Sequence, residues 1–334
     1  MTGMIPVSIV TGFLGAGKTT LISRILRDKA FARTAVIVNE YGEIGLDHEL
    51  IATGDETFLA LTTGCLCCAV RSNLIQTMLE LRDRADGLYD RVLIETSGLA
   101  DPGPILQALM TDFAIYATHV VDTVVTVVDP VHGEATLAAH PEARRQVALA
   151  DRLVFSKTDV ARPADPLLER IDTLNQTAPR SDAIDATPDL LFGGADPMAR
   201  AARLALPVER GRASPFGRAV HTDGIETEAL RRARPMPALA LTLWLQALME
   251  HCGERLLRVK GIVALEELPW RPAIVHGVRH VFSPPEFLDR WPSADTETRI
   301  VLIFRDMPRH LPARLLDAIE EEVREEMATK RAGA

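Results

Sequence analysis

The chain has 334 residues, 47% of them hydrophobic and 25% charged, which is the make-up of a globular protein with enough apolar material for about two domains. A net charge of -9 and a pI near 5.5 leave no basic footprint for nucleic acid. No apolar run approaches the roughly 18 residues of a membrane span, and Met1 to Pro6 carries no basic leader, so a cytoplasmic setting is expected.

The first half alternates short apolar runs with helical patterns, the signature of an α/β fold with a doubly wound, mostly parallel sheet. Val7 to Val10 is expected as a strand and Lys18 to Arg27 as a helix. Between them lies Gly12-Phe13-Leu14-Gly15-Ala16-Gly17-Lys18-Thr19, a complete phosphate-binding loop in its required strand-to-helix setting. Backbone N–H groups of Gly12, Gly15, Ala16 and Gly17 are expected to cradle phosphates at a helix N-terminus. Lys18 would reach the β- and γ-phosphates. Thr19 would offer its hydroxyl to Mg²⁺, and Thr20 follows as a further nucleotide contact.

Ala35 to Val38 reads as the next strand, ending at Asn39-Glu40-Tyr41-Gly42-Glu43, and Phe58 to Leu61 as a short apolar run. The run leads into Cys65-Leu66-Cys67-Cys68. Adjacent thiols make a poor disulfide framework, whereas thiolates are soft ligands suited to Zn²⁺, Cu(I) or iron–sulfur iron. Cys65, Cys67 and Cys68 can therefore put two or three sulfurs on one ion. Glu40, Glu43, Asp47 and His48 are candidates for further ligands. The competing readings are three small buried hydrophobes and a redox role. The fourth cysteine, Cys252, stands alone in a helical pattern and is expected in a core.

Val92 to Ile94 is expected as a strand delivering Glu95 at its C-terminal end, where ligands sit in doubly wound sheets. Glu95 would hold Mg²⁺ or orient an attacking water, and the Gly98 N–H would meet the γ-phosphate. Val120 to Val128 and Leu153 to Phe155 are two more strands. The second feeds Ser156-Lys157-Thr158-Asp159. Asp159 can accept two parallel N–H bonds from a guanine edge, selecting GTP over ATP, while Lys157 lays its stem over the base.

A stretch rich in Gly, Pro, Ala and Arg from 187 to 218 reads as a connection. The expected division is residues 1–200, a linker over 201–218, and a smaller α+β domain over 219–334. In the latter, helices are expected from Glu226 to Ala233, from Ala238 to His251 and from Pro312 to Lys330. Strands are expected over 256–265, 273–282 and 299–304. His276 and His280 would then share one face of a strand.

These segments together resemble the CobW-type metallochaperone GTPases. The phosphate loop, Asn39 to Glu43, the cysteine cluster, Glu95-Thr96-Ser97-Gly98 and Ser156 to Asp159 carry the likeness in order. Arg258-Val259-Lys260-Gly261, Val278 to Phe282 and Trp291-Pro292 continue it. The resemblance implies a P-loop NTPase fold with slow GTP hydrolysis, Mg²⁺ as cofactor, and Zn²⁺ or Co²⁺ at the cysteine motif. It also implies delivery to a client metalloprotein or a cofactor-synthesis enzyme, with no nucleic acid or membrane partner. Ser156 stands where Asn is common in that family, and no His-rich tract is present. Cobalt handling for cobalamin synthesis or nitrile hydratase activation fits the same motifs. So does a regulatory or scaffold P-loop protein with a structural zinc. A P-loop ATPase or small-molecule kinase is disfavoured by Lys157 and Asp159.

Overall fold

The computed structural model describes residues 4–31, 33–39, 60–62, 70–84, 89–187, 198 and 223–332. The cysteine cluster, Glu40, Glu43, Asp47 and His48 lie outside the described residues, as does most of the 187–218 stretch. The described residues fall into two compact units, one ending at Thr187 and one running from Asp223 to Ala332 together with Met198.

The first unit alternates strands and helices: β1 (Ile5–Thr11), α1 (Lys18–Ile25), β2 (Thr34–Asn39), β3 (Ala60–Thr62), α2 (Val70–Arg84) and β4 (Arg91–Thr96). It continues with α3 (Pro102–Thr111), α4 (Phe113–Tyr116), β5 (His119–Val128), α5 (Gly133–Ala139), α6 (Pro141–Ala148), β6 (Arg152–Phe155), α7 (Asp165–Leu174) and β7 (Arg180–Asp182). The seven strands form one sheet in the order β3-β2-β4-β1-β5-β6-β7, with every pair parallel. Strands covered on both faces need apolar residues on both, so β1, β4 and β5 are mostly apolar with short runs of Val, Ile and Leu rather than strict alternations. Val7, Ile9, Val10, Val92, Leu93 and Ile94 are fully buried. One face of the sheet packs Leu21, Ile22 and Ile25 of α1 against Val10, Leu93, Val125 and Val127. The order changes direction at β1, and the loop after β1 therefore sits at the crevice where open parallel sheets bind ligands.

The second unit is antiparallel: β8 (Ile225–Arg232), α8 (Ala238–Cys252), β9 (Leu256–Val263), β10 (Ala273–Val278), β11 (Val281–Phe282), β12 (Glu286–Phe287), β13 (Thr298–Arg305) and α9 (Leu311–Ala332). Its sheet runs β11-β10-β9-β13-β8, with β12 paired to β10. The inward-facing Ile300, Leu302 and Phe304 of β13 pack with Trp244, Leu245 and Leu248 of α8 and Leu316 of α9. Cys252 is buried in this core, as expected from its helical setting. The Trp244 indole N–H donates to the Pro312 carbonyl at 3.0 Å, which ties α8 to the start of α9.

Two sequence expectations are corrected in this unit. The segment Glu226 to Ala233 is an edge strand, β8, not a helix. It pairs with β13 along its whole length, from Ile225↔Arg305 to Arg232↔Thr298. Ile225, Thr227 and Leu230 are buried while Glu226, Ala229 and Arg231 are exposed. Cross-strand pairing overrides the helical preference of Glu, Ala, Leu and Arg. The stretch 273–282 is two strands, not one. The chain reverses at Arg279, whose φ of 54° lies in the left-handed region, so Val278 pairs with Val281 and Gly277 with Phe282. His276 sits on β10 and His280 in the turn, so they do not share one face of a strand.

Candidate functional site

The loop from Gly12 to Gly17 follows β1 directly and opens α1 at Lys18. Gly12 has φ 143°, and a Cβ there would lie 2.4 Å from the Val127 carbonyl oxygen of β5. Only glycine lets the loop leave the sheet at this point. Gly15 and Gly17 are also left-handed, and the Ala16 N–H donates to the Phe13 carbonyl, closing a tight turn. Lys18 is buried and its ammonium reaches the Phe13 carbonyl at 3.4 Å, folding the side chain back over the loop. Thr20 lies exposed on the first turn of α1.

Glu95 lies near the C-terminal end of β4, in register with Val10 of β1 and Val38 of β2. Its side chain is 1% exposed. The Thr19 hydroxyl donates to Glu95 Oε1 at 2.7 Å, joining the first turn of α1 to β4. A hydroxyl and a carboxylate converging in this way are hard oxygen ligands of the type Mg²⁺ takes. Beneath them the Thr96 hydroxyl donates to that of Thr11 at 2.8 Å, locking β4 to β1 in the core. After β4 the chain turns at Gly98. A Cβ there would lie 2.6 Å from the Leu14 backbone nitrogen, so the absence of a side chain lets this turn close on the phosphate loop.

The third segment arrives from β6. Ser156 is buried, and its Cβ would be 3.5 Å from a Cβ built on Gly17. The residue that departs from the family pattern therefore packs against the phosphate loop. Lys157 follows at φ 49°, and its ammonium is 2.7 Å from Asp129 Oδ2. Asp159 is exposed in the turn beyond. A cavity of about 310 Å³ brings the two ends together: Phe13 and Gly15 line one side, Lys157 and Asp129 another, and Gln146 and Val147 of α6 a third.

Sequence reasoning missed two residues here. Asp129 directly follows β5 and accepts from Lys157, from His132 Nδ1 at 3.1 Å and from the Val131 N–H at 2.8 Å. Burial by itself would push its carboxyl up. The hydrogen bonds from Lys157 and His132 outweigh that and hold it below the usual carboxylate range. An acid at the C-terminal end of an apolar strand was the available signal. Gln146 is buried on α6, and its amide donates to the Gly98 and Ala100 carbonyls at 3.1 and 3.0 Å. Nothing local in sequence marks it, since its partners lie 46 and 48 positions away. The structure thus brings the phosphate loop, Glu95, the Gly98 turn and Lys157 to one rim of the sheet.

Residues 6–184 match the CobW/HypB/UreG nucleotide-binding domain, and residues 225–320 match the cobalamin synthesis protein CobW C-terminal domain. The chain belongs to the CobW/HypB/UreG family. It is 40% identical over 178 residues to the zinc chaperone YjiA of Escherichia coli K12, covering 52% of this chain and 56% of that protein. The chain thus aligns with a little over half the length of that relative. It is 28% identical to the zinc-regulated GTPase metalloprotein activator 1 of Schizosaccharomyces pombe, over 92% of this chain and 84% of that one. A crystal structure of Zn(II)-bound YjiA GTPase from E. coli superposes with a TM-score of 0.68 at 26% identity, covering 95% of this chain and 99% of the other. The last two matches span both units. Among the described residues no helix is long and apolar enough to cross a membrane.

Proposed function

We propose that this family member is a GTP-dependent metallochaperone. It binds Zn²⁺ through Cys65, Cys67 and Cys68 and couples GTP binding and hydrolysis to handing the metal to a client protein. The observation that carries the reading is the Thr19–Glu95 contact. A phosphate loop whose threonine meets a buried carboxylate on the neighbouring strand is built to hold a metal–nucleotide complex.

In this reading the backbone N–H groups of Gly15, Ala16 and Gly17 bind the phosphates, and Lys18 swings from the Phe13 carbonyl to the β- and γ-phosphates. Thr19 and Glu95 would hold Mg²⁺, which neutralises charge on the phosphate oxygens. Glu95 also orients the attacking water. The Gly98 N–H faces the γ-phosphate. Lys157 and Asp159 take the base, and Asp159 selects guanine through its two carboxylate oxygens. Thr20 supports the phosphates from the first turn of α1.

The three thiolates are soft donors suited to Zn²⁺, with Co²⁺ as a competitor, and Glu43 and Asp47 are the candidates for the fourth position. Kinship with proteins named as zinc chaperones supports zinc as the cargo. The cytoplasm is the expected setting, and the client is a metalloprotein or an enzyme of cofactor synthesis.

If metal affinity differs between the GTP and GDP states, metal must alter nucleotide affinity by the same factor. A tenfold coupling needs only about 1.4 kcal/mol. The test is a titration of the full chain with GTP, with GDP and with ATP, each in the presence of Zn²⁺ or of a chelator. A zinc-dependent change in the GTP-to-GDP affinity ratio is expected. Nucleotide binding indifferent to Zn²⁺ overturns the coupling, and ATP binding as tight as GTP overturns the guanine assignment.

A further inference from the structure

We infer that Gln146 is a positioning residue for the γ-phosphate: it fixes the turn that meets a triphosphate and leaves diphosphate binding alone. The inference rests on the nucleotide reading above. Gln146 lies on α6, away from the phosphate loop in sequence, and is 1% exposed. Both hydrogens of its amide are used on one target, the Gly98 and Ala100 carbonyls of the turn after β4. On its other side that turn has no room to move, because Gly98 lies against Leu14 of the phosphate loop. The turn is therefore clamped between Leu14 in front and Gln146 behind.

Helix α6 is anchored independently of this clamp. The Gln146 backbone carbonyl accepts from the Thr126 hydroxyl of β5 at 2.8 Å. At its N-cap the His140 ring stacks on Phe13 of the phosphate loop, with ring centroids 4.4 Å apart. Arg145 faces Asp101, just beyond the turn, at 3.4 Å. Helix α6 thus touches both the phosphate loop and the Gly98 turn, and Gln146 is the side chain that holds the turn.

Gln146 Oε1, by contrast, is buried with no hydrogen-bond partner among the described residues. A buried amide acceptor left unsatisfied costs free energy and calls for an explanation beyond packing. A leucine of similar volume would fill the space without that cost. Glutamine is explained by the two carbonyls it holds. Only a ligand reaching the turn feels their position, and a diphosphate ends short of it.

The experiment compares a fluorescent GTPγS analogue with the matching GDP analogue on the full chain with Mg²⁺, for the wild type, Gln146→Leu and Thr126→Val. Losing the clamp is expected to weaken GTPγS binding about tenfold and GDP binding less than about twofold, a size typical of one or two lost hydrogen bonds. Thr126→Val loosens α6 without touching the turn and should lower the melting temperature with the ratio unchanged. An unchanged GTPγS-to-GDP ratio in Gln146→Leu, or a parallel loss of both ligands, overturns the proposal while the nucleotide site stands. Should Gln146→Leu not fold, Gln146→Met keeps the length and removes the donors, and the same ratio decides. A wild-type chain that binds neither nucleotide sinks the site reading and this inference with it.

Discussion

Three single residues carry testable energies. Asn175 is fully buried, and its amide donates to the carbonyls of Val147, Ala148 and Ala150 at 2.9, 3.2 and 2.9 Å. Its Oδ1 accepts from the Thr177 N–H, the Thr177 hydroxyl and the Ala178 N–H. One side chain thus satisfies the open carbonyls at the end of α6 and shapes the approach to β7. Asn175→Ala should cost about 3 kcal/mol in urea unfolding, since it strands several buried groups at once. His119 is buried with Nδ1 2.8 Å from the Thr118 hydroxyl and Nε2 3.3 Å from the Tyr89 hydroxyl. Burial, aided by the Arg82 charge, lowers its pKa from 6.5 to about 4. The fold favours the neutral ring, so this stabilisation is complete above pH 6.5 and is lost as the pH falls toward 4. His119→Gln should flatten the fall in urea midpoint across that window. For Glu95, Glu95→Gln keeps the shape and removes the charge. We expect Mg²⁺-dependent GTP hydrolysis to drop about a hundredfold while the melting temperature stays near that of the wild type. Unaltered turnover would remove Glu95 from the site.

At the scale of elements, the second unit depends on how closely β9 and β13 approach. Gly261 lies opposite Ile300, and a Cβ there would sit 2.7 Å from Ile300 Cγ1 and 2.8 Å from the Arg299 carbonyl oxygen. The glycine of the Arg258–Gly261 motif is a packing device in the sheet. Gly261→Ala should destabilise the unit by about 1–3 kcal/mol through overpacking, read as a lower urea midpoint. The same unit shows why element type was only partly legible. The central strands of the first unit, β1, β2, β4, β5 and β6, carry Val, Ile and Leu on both faces and announce themselves as short apolar runs. β8 is Ile-Glu-Thr-Glu-Ala-Leu-Arg-Arg, in which helix formers outnumber β-branched residues. Its identity comes from the eight-residue ladder to β13, whose sequence lies more than sixty positions on. The break between β10 and β11 was hidden for a related reason. Arg279 occupies a left-handed turn position that Gly or Asn would normally announce.

At the scale of the molecule, each unit carries its own apolar core, one built on α1 and the parallel sheet and the other on Trp244 and β13. Calorimetry of the full chain is therefore expected to resolve two transitions. A guanine nucleotide with Mg²⁺ at about a hundred times its Kd should stabilise the first unit by about 2.7 kcal/mol. A single transition shifted as a whole would show that the two cores melt together.

The phosphate loop, the acid at the end of β4 and the Ser156–Asp159 segment were readable without coordinates, because their chemistry needs particular residue types at short spacing on or beside a strand. Nucleotide-fold architecture and family followed from the same short-range signals. The tertiary structure alone decided that Ser156 packs on Gly17, that Asp129 takes Lys157, and that Gln146 grips the Gly98 turn. It also decided that β8 is a strand. Each of these joins residues dozens of positions apart, and which distant partners meet is set by the order of strands in a sheet rather than by any local pattern of side chains.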